Sequence, residues 1–482
     1  MKKLLIIVLA LSVFTTSCKK YLDVNNTPNN PLAVPPSTIL PTATIAIAFA
    51  NGNDLSRVTS ALSQHIAGVA NQTAQYDVYL LDGSFDNQWN SEIYVGAINN
   101  LQVLIDQYSA TSPAYSGIAK LEMAYTYSMA TDLWGDVPYS QAGQGLKFDQ
   151  PRFDKVADIY QGNTTLGITS LFDLVKSGLA DLDKPSALKP GKDDLVYKGD
   201  LTKWKRMGNS LMLKFAIHIS NVAPDLAKTI FSSVTTGNNY INSNAVDFEV
   251  PFGPSTGNQN PIYSFNYVNR NGDQQMSSRL LTLSRSLNDT VRLSKFFTKP
   301  NGVFTGYENG STANPLTISA RSQYNSYLVG VSGEAPIRLL TNFQSLFNIA
   351  EGDLLFGLGT AAAQSAYSAG ITASMLKVGM LQSEIDNYFA TNPSVVTLSG
   401  SMEDMRKQII TQKYMAWIGN GIEAFNDYRR TGYPVLALAL NAQGDDPNTI
   451  PTRLVYTPGE LSRNPNAPSP RPKTNVKLWW AK

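Results

Sequence analysis

Apolar side chains that recur every three or four residues constrain this chain more than any other feature. Ile93, Ala97, Leu101, Leu104 and Tyr108 follow one another at spacings of four, four, three and four, and Ile118, Leu121, Tyr125, Met129 and Leu133 keep the same rhythm. That is the period of an α-helix burying one face. Only residues 109–113 separate the two runs, a connection so short that it predicts antiparallel neighbours and hence an αα-hairpin. A second pair is expected from Leu171, Val175, Leu179 and Leu182, followed by Trp204, Leu211, Phe215 and Ile219. Later helices are marked by Phe343, Phe347, Ala350, Leu354 and Leu358, and by Ile410, Tyr414, Trp417 and Ile418. Helix pairs in series suggest an α-solenoid-like scaffold, although no fixed period near 34 residues is present.

The N-terminus sets the compartment. Lys2 and Lys3 precede an apolar run from Leu4 to Phe14, long enough for a secretory signal but too short to span a bilayer. The chain's one cysteine, Cys18, follows Thr15, Thr16 and Ser17, where a bacterial lipoprotein signal is cleaved and the new N-terminus acylated, for example with palmitate. An ordinary secretory signal that happens to carry a cysteine is the alternative, and Thr15 stands where an aliphatic residue is usual. Lys19 is not the aspartate that retains a lipoprotein in the inner membrane, so the outer membrane is the expected destination. The expected division is a signal peptide over 1–17, a lipidated proline-rich tether over 18–40 and one large domain over 41–482.

Composition excludes several functions. With one cysteine, which the lipid would claim, the fold must hold by packing without disulfides. The two histidines, His65 and His218, lie in apolar helix-like stretches and read as core residues, and zinc sites rich in cysteine or histidine lack ligands. Oxygen-ligated calcium has no EF-hand-like spacing to support it, so no metal or other cofactor is expected. Charged residues are 16% of the chain and the formal net charge is +2, with no basic run of the kind that holds nucleic acid. Polarity comes instead from Asn, Ser, Thr and Gln, which suits neutral polar ligands. Residues 72–87, 247–275, 300–327 and 441–472 are long, polar and rich in Gly, Pro and Asn, and read as functional loops.

Two segments share one design. ATDLWGDVPYSQA (130–142) closes an apolar stripe at Leu133, offers Gly135 as a left-handed cap and blocks continuation with Pro138. FNDYRRTGYP (425–434) sets Arg429 and Arg430 at the negative helix end, with Gly432 as cap and Pro434 as stop. Both read as structural, although paired arginines can also grip a carboxylate. Together with WKRMGNSLMLKFAI (204–217), LNDTVRLSKFF (287–297), FQSLFNIAEGDLLFG (343–357), ITQKYMAWIGNGIEAF (410–425) and the terminal KLWWAK, they resemble the SusD/RagB family of outer-membrane nutrient-binding lipoproteins in its RRTGYP-containing form. Thr290, Phe425 and Ala481 depart from residues usual there, at packing positions.

The resemblance implies a mostly α fold with degenerate tetratricopeptide-like helix pairs on one side, and long loops with a few short strands forming the ligand face. It also implies a surface-exposed lipoprotein that binds a glycan and delivers it to a partner TonB-dependent transporter without catalysis. A peptide is the alternative ligand, and a secreted helical glycoside hydrolase using Asp82, Asp86 or Asp273 is the alternative class. Glycan binding needs flat aromatic faces in loops. The first candidates are Tyr76, Tyr79, Phe85 and Trp89, among Gln72, Gln75, Asp82, Asp86 and Asn87; Phe85 and Trp89 can instead staple the start of the following helix. The second are Tyr263, Phe265 and Tyr267, whose alternation predicts one face of a strand ahead of an Asn271-Gly272 hairpin turn, a face that can equally pack on the helical body. Arg270 and Asp273 sit near that turn, and Tyr307, Tyr324 and Tyr327 are third choices.

Overall fold

The computed structural model describes residues 34–482. The expected signal peptide, Cys18 and the expected tether as far as residue 33 lie outside the described residues. The tether was expected to run to residue 40, but a helix begins at Pro36 and runs to Ala50, with Pro41 inside it. Proline at a helix's first turn costs nothing, because the N–H it lacks would be unpaired there, so Pro35 and Pro36 start this helix where composition alone suggested extended chain.

The expected helix pairs form. Asn100–Tyr108 extends a wide-turned helical run, Asn87–Asn99, and packs on Pro113–Trp134 across the short connection. Pro113–Trp134 packs on Leu171–Asp181, which packs on Leu201–His218, and that helix packs on both Pro224–Gly237 and Asn342–Leu355. Asn342–Leu355 then lies against Thr360–Lys377 and Met402–Ala416. Side-chain caps fix several starts: the Ser170 side chain accepts from the Asp173 N–H, and Asp200 accepts from the N–H groups of Thr202 and Lys203. Ser401 and Asp404 cap one another reciprocally.

The apolar stripes are the core: Ile93, Ala97, Leu101, Leu104, Ile118, Leu121 and Leu133 are all fully buried. Three small antiparallel ladders tie loops to this body, pairing Ile66–Gly68 with Gln274–Met276, Val137–Pro138 with Phe153–Asp154, and Phe248–Val250 with Ile337–Leu340. The protein is therefore mostly helical with a few short strands. No helix among the described residues is long and apolar enough to cross a membrane.

Both helix-end motifs are structural, and they meet. Gly432 adopts the left-handed conformation (φ 84°, ψ 8°), as its cap role requires. Gly135 has positive φ but ψ of −126°, so it turns the chain sharply rather than closing a left-handed cap. Arg430 forms a two-pronged pair with Glu351 at 2.6 and 2.7 Å, and Arg406 adds a third contact to the same carboxylate at 2.8 Å. Burial opposes ionisation of Glu351, but Arg430 and Arg406 prevail and hold its carboxyl down at about 2. Both histidines are core residues: His65 Nε2 lies 3.1 Å from the Tyr414 carbonyl, and His218 Nε2 lies 3.1 Å from Asp132 Oδ1. Burial, the larger effect, lowers the pKa of each.

Candidate ligand-binding face

Between the Pro36–Ala50 and Ser56–Leu62 helices the chain makes a wide turn, Asn51–Leu55, in which Asn53 leaves helical geometry (φ −96°, ψ −120°). Such irregular turns inside helices cluster at functional sites. Arg57 projects from just after this turn. Its guanidinium pairs with Asp54, donates to Gln72 Oε1 at 3.1 Å and lies over the Phe265 ring at 3.6 Å from the centroid. Asp54 is held on its other oxygen by the Tyr76 hydroxyl at 2.9 Å. Arg57 thus joins the two loops that were separate candidates in the sequence. Asn71 Nδ2 ties them again, donating to Asp273 Oδ1 at 2.8 Å.

Arg57 Nε is buried without a hydrogen-bond partner among the described residues. The residue lines a small cavity of about 20 Å³ with Asn53, Phe265, Asn266, Gln274 and Tyr324, room for about one water-sized polar group. Glu92 stands behind this turn. Burial pushes its carboxyl up to about 7, the Asp54 charge adds to the rise, and hydrogen bonds from Asn53 and Asn87 oppose it.

On the segment that carries Phe265, Tyr263 and Tyr267 stack at 5.4 Å between centroids with 16° between their planes, and both are half-buried. They do not alternate on a strand. Asn260 caps the Ile262 N–H at 2.7 Å, Pro261 takes the first position, and helical turns run from Pro261 to Asn269. One helical turn separates the two tyrosines, which brings their rings face to face. The turn at 271–273 then leads into the Gln274–Met276 strand, whose partner is Ile66–Gly68 and not a hairpin neighbour. Val268, Asn269 and Arg270 are exposed next to the stacked pair.

Residues 28–457 match the SusD-like family model, described as starch-binding associating with outer membrane. The chain belongs to the SusD-like family. No curated protein matches it. Among solved structures it is similar to a chitin-binding protein at 23% identity and TM-score 0.76, covering 93% of this chain and 100% of that one. A chitin-binding SusD homolog from Flavobacterium johnsoniae is 20% identical at TM-score 0.74, with 92% and 97% covered. A SusD/RagB family protein from Bacteroides thetaiotaomicron is 20% identical at TM-score 0.77, with 93% and 99% covered. These likenesses establish the fold.

In this SusD-like chain the first four expected contact residues are buried: Tyr76, Tyr79, Phe85 and Trp89 are 0, 4, 3 and 1% exposed. Their rings are therefore packed in the core and not free to stack on a ligand. Trp89 meets Trp134 edge-on at 5.2 Å and Tyr94 at 5.0 Å, and Phe85 stacks on Tyr76 at 5.6 Å. The loop is roofed by C-terminal chain: the Ala439 N–H donates to the Tyr79 hydroxyl at 2.8 Å, and Gln443 N–H donates to the Val78 carbonyl at 2.8 Å.

Of the third choices, Tyr307 and Tyr324 are buried, and Tyr327 is half-buried with the Arg338 guanidinium over its ring at 3.7 Å. Of the three carboxylates considered for hydrolysis, Asp273 accepts from Asn71 and Asp82 pairs with Arg471 at 2.8 Å, whereas Asp86 Oδ1 is buried without a hydrogen-bond partner among the described residues. No group of three or more His, Cys, Asp or Glu among the described residues is arranged to hold a metal. Sequence reasoning missed Arg57. Its signal was an arginine three residues after an aspartate, the spacing of a local ion pair.

Proposed function

We propose that this SusD-like chain is a surface-exposed outer-membrane lipoprotein, anchored through acylated Cys18, that holds a glycan and passes it to a TonB-dependent transporter without catalysis. The observation that carries the reading is the half-exposed parallel pair Tyr263–Tyr267, on the same helical segment whose Phe265 carries the Arg57 guanidinium. Flat rings match the apolar faces of sugars, while Arg57, Asn53, Asn266 and Gln72 supply donors and acceptors for hydroxyl or amide groups. The starch-binding description of the family and the chitin-binding character of two similar structures support a polysaccharide, with amino-sugar polymers the first to try.

The test titrates the soluble chain beginning at Lys19 with neutral, acidic and amino-sugar polysaccharides, with Tyr263→Ala and Tyr267→Ala in parallel. Binding that both variants lose at unchanged melting temperature supports the reading. Binding that neither variant affects, or release of shortened products, overturns it.

A further inference from the structure

Asn271-Gly272 carries the sequence signal of a hairpin turn yet forms no hairpin, and it is one of five Asn-Gly pairs in the chain, with 51–52, 301–302, 309–310 and 420–421. Such pairs have a chemistry of their own. The backbone nitrogen of the glycine can attack the asparagine side-chain amide, because no Cβ hinders its approach. Folding decides which pairs are able to react.

Three pairs are locked. Asn51, Asn309 and Asn420 are buried. Asn51 Nδ2 donates to the Tyr125 hydroxyl at 3.0 Å. Asp77 accepts from both the Asn309 amide and the Gly310 N–H, each at 2.6 Å. Asn420 Nδ2 donates to the Arg338 carbonyl at 3.0 Å, and Gly421 N–H donates to the Ser56 hydroxyl at 3.1 Å. Asn301 is exposed, but Gly302 N–H donates to the Lys299 carbonyl at 3.1 Å, so the attacking nitrogen is engaged.

Asn271 differs on three counts. It is exposed, and Gly272 N–H has no acceptor among the described residues. Gln323 Nε2 donates at 3.2 Å to Asn271 Oδ1, the oxygen on which negative charge develops when the amide carbon is attacked. Arg321 stands beside the same glycine. It is 8% exposed and has no ion-pair partner among the described residues; its Nε donates to the Leu316 carbonyl and its Nη1 to the Gly272 carbonyl, each at 2.7 Å. A buried guanidinium without a counter-charge favours negative charge nearby: on the deprotonated Gly272 nitrogen, on the tetrahedral oxyanion, and at the end on a carboxylate.

We propose that Asn271 is a self-modification site, at which attack of the Gly272 nitrogen on the side-chain amide converts the asparagine to an acidic residue beside Arg321.

The Gly272 nitrogen gives its proton to a solvent base and bonds to Asn271 Cγ; the Cγ–Nδ2 bond breaks, and the amide leaves as ammonia with a proton taken from solvent. Water then adds to one carbonyl of the succinimide and reopens the ring, leaving aspartate or, through the other carbonyl, isoaspartate. One water is consumed and one ammonia released, and nothing is oxidised or reduced. The new carboxylate lies four residues beyond Tyr267, at the end of the aromatic segment.

The test holds the soluble chain beginning at Lys19 in warm, mildly alkaline buffer and follows each Asn-Gly pair by peptide mass spectrometry, with isoaspartyl methyltransferase labelling to mark isoaspartate. The same chain in concentrated urea is the reference, since only local sequence acts there. In the native protein, product should build up at Asn271 about five- to tenfold faster than at Asn301, which must first give up a hydrogen bond. Asn51, Asn309 and Asn420 should stay intact, and in urea the five pairs should converge. Arg321→Gln and Gln323→Leu should each slow Asn271 several-fold and leave Asn301 unchanged; Gln323→Leu, at a half-buried position, keeps the test valid where Arg321→Gln unfolds. A native protein in which Asn271 reacts no faster than Asn301, or a rate at Asn271 that neither folded variant changes, overturns the proposal.

Discussion

Arg429 donates from Nη1 to the carbonyl oxygen of Asp132 at 2.6 Å, across 297 residues of sequence. The same Nη1 reaches the Thr452 carbonyl at 2.9 Å, and the guanidinium lies between the Phe425 ring at 4.0 Å and the Trp480 ring at 4.7 Å. One side chain therefore joins the 113–134 helix end, the RRTGYP helix and both C-terminal segments. Burial, the larger effect, pulls its pKa down to about 9 against the pull of Asp132, so it remains charged at neutral pH. Arg429→Lys loses the planar fork and both ring contacts, and is expected to cost about 3 kcal/mol. Urea unfolding measures it, and a loss below about 1 kcal/mol contradicts the keystone role.

Much of this fold was legible because helical periodicity is local. Ile93 to Tyr108 and Ile118 to Leu133 declared their elements without reference to anything distant. The first candidate loop was misread for the opposite reason. Nothing within residues 72–90 shows that segments near Ala439, Gln443 and Glu460 fold back over it, and a roof supplied from more than 350 residues away turns loop aromatics into core. At Tyr263 and Tyr267 the alternation over five residues points to a strand, but the Asn260-Pro261 helix start decides the element.

The roles of the two aromatic groups separate experimentally. Trp89 packs among Trp134, Tyr94, Phe153 and Tyr456, so Trp89→Ala should cost about 3–5 kcal/mol and lower the melting temperature by many degrees. Tyr263→Ala, at a half-exposed position, should leave melting within a few degrees yet weaken glycan binding about tenfold. Thermal unfolding and glycan titration of both variants check the pair of outcomes. The reverse pattern returns the ligand to the 72–90 loop.

Stability should fall at both ends of the pH scale, through different carboxylates. Glu351 is held low, at about 2, by its arginines despite burial, so its contribution is present above about 4.5 and is lost as pH falls towards 2. Glu122 is the opposite case: burial raises it to about 8, with the Thr44 hydroxyl donating to Oε1 at 2.8 Å. A raised carboxyl binds its proton more tightly when folded, so stability is full below about 4.5 and is lost as pH rises through 8. Glu122→Gln keeps the size and the acceptor without the charge. It should flatten the decline between pH 5 and pH 9, leaving the variant more stable by up to about 3 kcal/mol at the alkaline end. Parallel pH–urea series show it, and identical slopes for both proteins rule out Glu122 as the source.

Gly333 holds the tyrosine pair in place from outside the helix. Its φ of +101° is disfavoured for any residue with a side chain, and a Cβ there would sit 2.7 Å from Gln259 Cβ and 3.0 Å from Tyr263 Cδ1. Gln259 is tethered, since its Nε2 donates to the Ser332 carbonyl at 2.7 Å, and the Gly333 carbonyl accepts from Asn260 N–H at 2.8 Å. Gly333→Ala must therefore push the 330–333 turn away from Tyr263 or tilt the ring off its partner. Gly257 provides the control, with φ of +86° and open space where its Cβ would go. Each alanine should cost about 1–2 kcal/mol for the backbone conformation alone. Only Gly333→Ala should also reduce glycan affinity, by several-fold, because only there does the new methyl group reach the stacked rings. Equal affinities in the two variants at matched stability would show that the Tyr263 ring position does not set binding.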